Sequence, residues 1–420
     1  MSIDFSSIKL SPLYIQPSKY LFVTHMESKS EFTSDYKVIT YDKNMLSRDL
    51  IPTYGLCRSI ILDCNYKVVA FAPPKSVPSD SFIQQYSLQD SSIIAQEFVE
   101  GTMINVFWDS TVGVTGAWEI ATRNTVGASS CFFKGKNSKT FRTMFLEACK
   151  ENHLEWEQLN KEYCYSFVLQ HPENRIVVPF KQCKLYLVAV YLMEHSEEIT
   201  IYSMHLDNVT NEIKKHLAIE NSKVLFPTMY EASSYSELIE KYASMNTPYH
   251  VLGFIIYNKK TGERTKIRNP VYEQVRQLRG NQPKLQYQYL TLRNQGKVPE
   301  FLKYFSENKK EFSEFRDEVH LFTHTLFSNY LSCYIKKEKP LMEFSEQYRT
   351  HMFHLHKKYL DELRENKLFI TSKIVKKYVN EMHPALLMYS LNYPLRKRNI
   401  DLFQCEEEQE QEQESPNVVM

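Results

Sequence analysis

The change of texture at Asn269-Pro270 is what most limits how this chain can fold. Before it, short β-branched or aromatic runs bounded by turn residues recur at 20–24, 36–41, 59–63, 68–71, 104–108, 165–170, 175–180, 184–190 and 250–257, the signature of strands. Helical spacing interrupts them at 138–151, 206–218 and 234–243, with Ser138, Asp207 and Ser234 as expected caps. Strands without a regular βαβ alternation imply an α+β domain on antiparallel sheets. From Tyr272 to Tyr393 long amphipathic patterns take over, punctuated by Pro283, Pro299, Pro340 and Pro384, so an all-α domain is expected to follow. The expected boundaries are 1–270 and 271–395, with a tail over 396–420. That tail is basic at Arg396, Lys397 and Arg398 and then acidic from Glu406 to Glu414; with so little apolar content it is expected to be disordered and solubilising.

A chain of 420 residues can bury sizeable cores. Its formal charge of +1 gives no global pull toward nucleic acid or membrane, so any basic surface must be local. Only ten glycines are spread over this length, which makes each one informative. The eight cysteines form no Cys-x-x-Cys pair and read as reduced structural thiols. Neither a secretory leader pattern nor a run of roughly 20 apolar residues is present, so a soluble protein of a cytosolic-type compartment is expected.

The stretch from Glu97 to Asp109 reads as a turn feeding a buried strand, with Glu100 and Gly101 at its mouth. A glycine there would let a ligand approach the backbone. The segment resembles the Lys-x-Asp/Glu-Gly motif of covalent nucleotidyltransferases, the superfamily of ATP-dependent RNA ligases, capping enzymes and DNA ligases. Further elements follow in order: Arg58 before a strand, Ala72-Pro73-Pro74-Lys75 after one, and Arg123 in Ala121-Thr122-Arg123-Asn124-Thr125. His171-Pro172-Glu173-Asn174-Arg175-Ile176-Val177 is similar to the Pro-x-Asn-Arg-Ile-Val element of bacteriophage-type RNA ligases, and Leu252-Gly253-Phe254 and Lys266-Ile267-Arg268 stand where that family has Glu-Gly-Phe/Tyr and Lys-x-Lys. The likeness covers residues 20–270 and is closest to those ligases, in a divergent form like those of large DNA viruses. It implies a nucleotidyltransferase (RNA-ligase adenylylation) domain and a nucleotide- or phosphate-binding set of Arg58, Lys75, Glu100, Gly101, Arg123, Asn174, Arg175, Gly253, Lys266 and Arg268.

The departures are as informative as the matches. Phe98 stands where the family's nucleophilic lysine would be, Leu252 replaces a glutamate, and no carboxylate lies at 167–170. Phenylalanine has no lone pair to offer phosphorus, and leucine holds no metal. The resemblance therefore implies a pocket that binds single-stranded RNA ends or a nucleotide without lysyl-AMP chemistry and with no protein metal site, in a host cytoplasm or a virion. An active ATP-dependent RNA ligase using ATP and Mg²⁺ remains the alternative, with Lys75 as the foremost substitute nucleophile and Lys134, Lys136 and Lys181 behind it. A structural or assembly protein with a vestigial pocket is a third reading.

Two further features have a bland account beside a functional one. His320 with His324, and the group His351, His354 and His356, read as helix-face or core histidines rather than metal ligands. Arg276, Arg279, Lys284, Arg293 and Lys297 interleave with Tyr272, Tyr287 and Tyr289, a mixture suited either to gripping and stacking single-stranded RNA or to an ordinary amphipathic helix.

Overall fold

A computed structural model of the chain describes residues 3–16, 18–27, 35–131, 138–196 and 198–396. It divides into two units, Met1–Leu278 and Arg279–Met420. In chain order the strands of the first unit are β1 (Phe5–Leu10), β2 (Leu21–Glu27), β3 (Asp35–Tyr41), β4 (Ile60–Leu62), β5 (Val68–Phe71), β6 (Ile93–Glu97) and β7 (Thr102–Asp109). They continue as β8 (Ala117–Ala121), β9 (Tyr163–Gln170), β10 (Lys184–His195), β11 (Ile199–Met204), β12 (Met229–Tyr230), β13 (Gly253–Asn258) and β14 (Arg264–Arg268). Its helices are α1 (Ser79–Gln85), α2 (Phe141–Glu151), α3 (Asn211–His216), α4 (Tyr235–Tyr242) and α5 (Pro270–Arg279).

Three sheets result, with every strand pairing antiparallel: a large one ordered β1-β11-β10-β9-β7-β8, a second ordered β12-β6-β13-β14 and a third ordered β2-β3-β4-β5. The large sheet is covered on both faces, which is why β9 is buried along its whole length and is apolar except at Ser166 and Gln170. Tyr165, Phe167 and Leu169 pack with Met144, Phe145 and Ala148 of α2. Cys164 points the other way, into a core shared with Val38, Ile61 and Phe71 of the third sheet. The second sheet buries Ala95, Phe254 and Ile256 against Phe82 of α1 and Leu238 of α4.

Antiparallel α+β architecture followed by helices is thus what the residues build, with local differences. Thr140 and Thr210 cap α2 and α3, accepting from the amides of Thr143 and Ile213, in place of Ser138 and Asp207; Ser234 caps α4 as expected. Residues 175–180 form no strand: the Val177 and Val178 amides donate to the Glu100 carboxylate instead of to a neighbouring strand, and Pro179 has no amide to donate. Strands β1, β6, β8 and β11 escaped the sequence reading because each is short or mixes polar with apolar residues.

The texture change at Asn269-Pro270 opens α5, whereas the contact division comes at its far end. Tyr272 accounts for the offset, since it is buried in the first unit beside Glu100 and carries α5 with it. Asn269 anchors the junction: fully buried, it donates from Nδ2 to the carbonyls of Thr247, Pro248 and Val251 and accepts from Val271 N–H.

The second unit contains α6 (Leu285–Asn294), α7 (Val298–Tyr304), α8 (Lys309–Tyr330), α9 (Glu346–Lys358), α10 (Ser372–Glu381) and α11 (Pro384–Leu391). Tyr289 is buried against Phe312 and Phe315, and Tyr272 is buried in the first unit, so two of the three tyrosines read as stacking platforms are core residues. His351 is a core histidine held between the Tyr378 and Ser390 hydroxyls at 2.9 Å each, while His320 and His324 face solvent. Among the described residues no cysteine is paired, no helix is long and apolar enough to cross a membrane, and no group of three ligating side chains could hold a metal ion. The tail from residue 397 onward, Lys134 and Lys136 lie outside the described residues.

Candidate functional site

The segment Phe98–Gly101 leaves the second sheet at the end of β6 and enters the large sheet at the start of β7. Two sheets joined by one short crossover cannot lie flat together, and the gap between them is a cavity of about 480 Å³. That is within the range of small-molecule sites, roughly 300–1,000 Å³. Its apolar wall includes Phe98, Met103, Val168, Val188 and Ile255; its cationic wall is Arg58, Arg123, Arg264 and Lys266.

The cations are held without carboxylates. Arg58 donates from Nη1 to the Pro73 carbonyl at 3.2 Å. Arg264, a residue the sequence reading did not single out, donates from Nε to Pro74 O at 2.8 Å and from Nη2 to Pro73 O at 3.2 Å. The Ala72-Pro73-Pro74-Lys75 turn is therefore clamped by two guanidiniums through carbonyls its prolines leave unpaired in any ladder. Arg123 donates to the Arg58 carbonyl at 3.2 Å and lies over the Tyr41 ring at 5.0 Å. Burial, then the Arg264 charge, pushes Arg58 down to about 10. Lys266 is pushed down to about 7 by burial and then by Arg268, Arg264, Arg58 and Lys75. Lys75 is lowered by burial and by Arg58, Arg123, Arg264 and Arg268. These mutual influences show six cations sharing one field.

Phe98 sits inside that field. Lys266 Nζ is 5.8 Å and the Arg268 guanidinium 5.7 Å from its ring centroid, both within cation–π range. Arg268 also pairs with Glu273 at 2.6 Å. Lys75 is not part of the cavity lining; its amide donates to Gly55 O, and its side chain is half-buried. Lys181 is exposed on the loop before β10.

The remaining expected residues hold the frame. Glu100 is buried and accepts from the amides of Val177 at 2.7 Å and Val178 at 3.2 Å; burial pushes its carboxyl up to about 7 against the opposing pull of those amides and the Tyr272 hydroxyl. Asn174 donates to Thr102 Oγ1 at 2.7 Å, and Arg175 donates to Val177 O at 2.9 Å. Gly101 lines the cavity, yet its constraint comes from the neighbouring strand: at φ +150° an added Cβ would stand 2.5 Å from Leu169 O. Gly253, at φ +126°, would bring a Cβ to 2.1 Å from Ile267 O. Close approach of protein backbone, not of a ligand, accounts for both glycines.

A divalent cation does not fit this donor set. Leu252 is buried and apolar, Val168 offers no oxygen, and Glu97, the carboxylate in the lining, already accepts from the Thr228 amide and hydroxyl. A polyanion does fit, because Arg58, Arg123, Arg264 and Lys266, buried or half-buried in the lining, are held without carboxylates.

No protein-family model matches the sequence. The chain is 23% identical over 205 residues to the RNA ligase of Rhodothermus phage RM378, a match covering 44% of this chain and 45% of the phage protein. It is 24% identical over 318 residues to the immediate-early protein ICP-46 homolog of Invertebrate iridescent virus 6, covering 69% of this chain and 65% of that protein. The matched part thus spans between about half and two thirds of these relatives. Among solved structures, a Naegleria gruberi RNA ligase mutant with ATP and Mn aligns over 64% of this chain and 84% of its own at 10% identity, with a TM-score of 0.33. The sequence matches relate this chain to the RNA-ligase superfamily. Its relatives thus include a phage RNA ligase and a protein of a large DNA virus, and the likeness is to RNA ligases.

Proposed function

We propose that the cavity binds the phosphate-bearing end of a single-stranded RNA, or a nucleotide, and that no covalent adduct forms at position 98. One observation carries this reading: the Phe98 ring occupies the cavity beside Lys266 and Arg268, while Arg58, Arg123 and Arg264 line the same space without a carboxylate partner. Guanidiniums bonded to carbonyls and, for Arg264, to the Tyr257 hydroxyl keep further forked donors suited to phosphate oxygens. The apolar wall opposite suits a base or ribose. We place the activity in the cytoplasm of an infected host cell or in a virion, in keeping with the viral relatives.

The test is binding of one single-stranded RNA carrying either a 5′-phosphate or a 5′-hydroxyl, measured over a salt series. The phosphorylated form should bind more tightly, and Arg123→Ala should reduce the salt slope by about 0.7, the value for one phosphate contact on a single strand. Equal affinity for both ends, with no response to Arg123→Ala, would leave the vestigial-pocket reading in its place.

A further inference from the structure

Lys266 is the one lysine among the described residues lining the cavity. Arg264, Lys266 and Arg268 alternate along β14, so their side chains leave the same face of the second sheet. Lys266 therefore has a guanidinium on either side along its own strand. Arg58 and Lys75 add two more positive charges from the third sheet and its turn. No hydrogen bond or ion pair to its Nζ occurs among the described residues, and its nearest ring is Phe98 at 5.8 Å. By contrast, Lys75 lies outside the cavity lining and Lys181 is exposed.

An amine that is half-buried, surrounded by cations and free of acceptors loses its proton readily, and burial beside like charges is the general means of activating a lysine. Here it brings Lys266 down to about 7, so a substantial fraction is neutral near pH 7. Phe98 contributes by what it lacks: a lysine there would compete for the same phosphorus, whereas the ring leaves Lys266 as the amine facing the cavity.

We propose that Lys266 is a nucleophile toward the α-phosphorus of a nucleoside triphosphate held in this cavity, taking over the reaction that the missing lysine at position 98 would have performed. The proposal rests on the binding reading above. The Nζ lone pair forms a P–N bond as the bond from the α-phosphorus to the bridging oxygen of the β-phosphate breaks. Pyrophosphate leaves with that electron pair, and the extra proton on nitrogen passes to water. No redox partner is needed. Arg58, Arg123 and Arg264 are the groups placed to hold the phosphate oxygens while charge shifts to the leaving group.

The experiment incubates the full chain with α-labelled ATP or GTP as magnesium salts from pH 6 to 9, followed by denaturing gel, intact mass and peptide mapping. The expected product is one nucleoside monophosphate per chain on Lys266, labile to acid and stable to alkali. Its rate per bound nucleotide should climb with pH, by up to about tenfold per unit, and level off only above the pKa that Lys266 takes with the anion bound, which lies above the ligand-free value of about 7. Lys266→Arg keeps the charge but stays protonated, so it should lose the adduct and still retain nucleotide in equilibrium dialysis. Mapping on the wild-type chain requires no variant, which protects the test from a misfolded one. Bound nucleotide with no adduct, or an adduct on another lysine, overturns the proposal and leaves the binding reading standing. Failure to retain either nucleotide or 5′-phosphorylated RNA overturns both.

Discussion

Replacing Gly101 with alanine separates two uses of that glycine, a close approach for ligand and a close approach for the neighbouring strand. The new Cβ would lie 2.5 Å from Leu169 O, 2.7 Å from Val168 Cγ1 and 3.1 Å from the Leu169 carbonyl carbon. Leu169 cannot yield cheaply, because it pairs with Thr102 in the β7–β9 ladder and its side chain is fully buried. A non-glycine residue at this φ costs ~1–3 kcal/mol, and forcing atoms into a filled space adds ~1–3 kcal/mol. A loss of about 2–6 kcal/mol follows, which at about 2 °C per kcal/mol for a unit of this size lowers its melting temperature by ~4–12 °C. All three tryptophans, Trp108, Trp118 and Trp156, belong to the first unit, so intrinsic fluorescence during thermal unfolding reads that unit alone. A melting temperature within ~1 °C of wild type, accompanied by loss of RNA or nucleotide binding, would refute the strand-contact explanation and restore the ligand-approach one.

Arg264→Ala removes two charge-assisted bonds to the Pro73 and Pro74 carbonyls while relieving repulsion with Arg58 and Lys266; a net loss of about 1–3 kcal/mol in urea unfolding is expected, and an unchanged midpoint would contradict the clamp. Glu100 is held at about 7 against an ordinary 4.5, so the folded state favours its protonated form and stability falls as pH rises from 4.5 to 7. At ~1.4 kcal/mol per unit that amounts to about 3 kcal/mol, and Glu100→Gln should abolish this part of the slope in urea titrations at pH 5 and 8. Lys266 has the opposite sense: folded pKa about 7 and ordinary value 10.5 mean that the folded state favours the neutral amine and stability rises with pH between them. The ceiling is ~5 kcal/mol, reduced to roughly 2–3 by the side chain's partial solvent access, and Lys266→Met should flatten the rise in melts between pH 7 and 10. Asn269→Ala strands three carbonyls and one amide at the head of α5; a loss of about 2–4 kcal/mol by chemical denaturation is expected, and a loss under ~0.5 would show that water replaces the amide.

What was legible in the sequence was what local pattern or ordered motifs carry. Period-2 runs and the switch at Asn269-Pro270 gave antiparallel α+β and then helices, because burial on a sheet face imprints directly on spacing. Arg58, Arg123, Gly101 and Lys266 line one cavity, and each was found through its place in an ordered set of elements. Arg264 was missed although it carried a local signal: it stands two residues before Lys266, as Lys266 stands two before Arg268. Glu100 and Arg175 have partners that no local pattern announces, for a tertiary reason. The Glu100 carboxylate is occupied by an amide 77 residues away, and the loop it holds takes Arg175 onto its own backbone. No pattern within either segment encodes that partnership, and a run such as Arg175–Phe180 reads as a strand until its amides are seen to be taken.

A cluster of six cations in which Arg268 alone pairs with a carboxylate, that of Glu273, calls for an explanation of how the fold tolerates it. Part of the answer is structural: carbonyls of Arg58, Pro73 and Pro74 solvate three guanidiniums, and the rings of Tyr41 and Phe98 face three of the positive groups. The other part is chemical, since Lys266 can shed its proton and lower the total charge. A bound polyphosphate removes the reason for doing so, which raises the Lys266 pKa and makes binding take up a proton at pH values above about 7. Attack by the amine requires the reverse, a neutral Lys266 in the presence of the same anion. Affinity should therefore fall with rising pH while the adduct rate per bound nucleotide rises, and calorimetry in buffers of different ionisation enthalpy distinguishes the two. If binding releases protons instead, the Lys266 amine is not the group that the arginines have deprotonated, and the electrostatic account of the cavity fails with it.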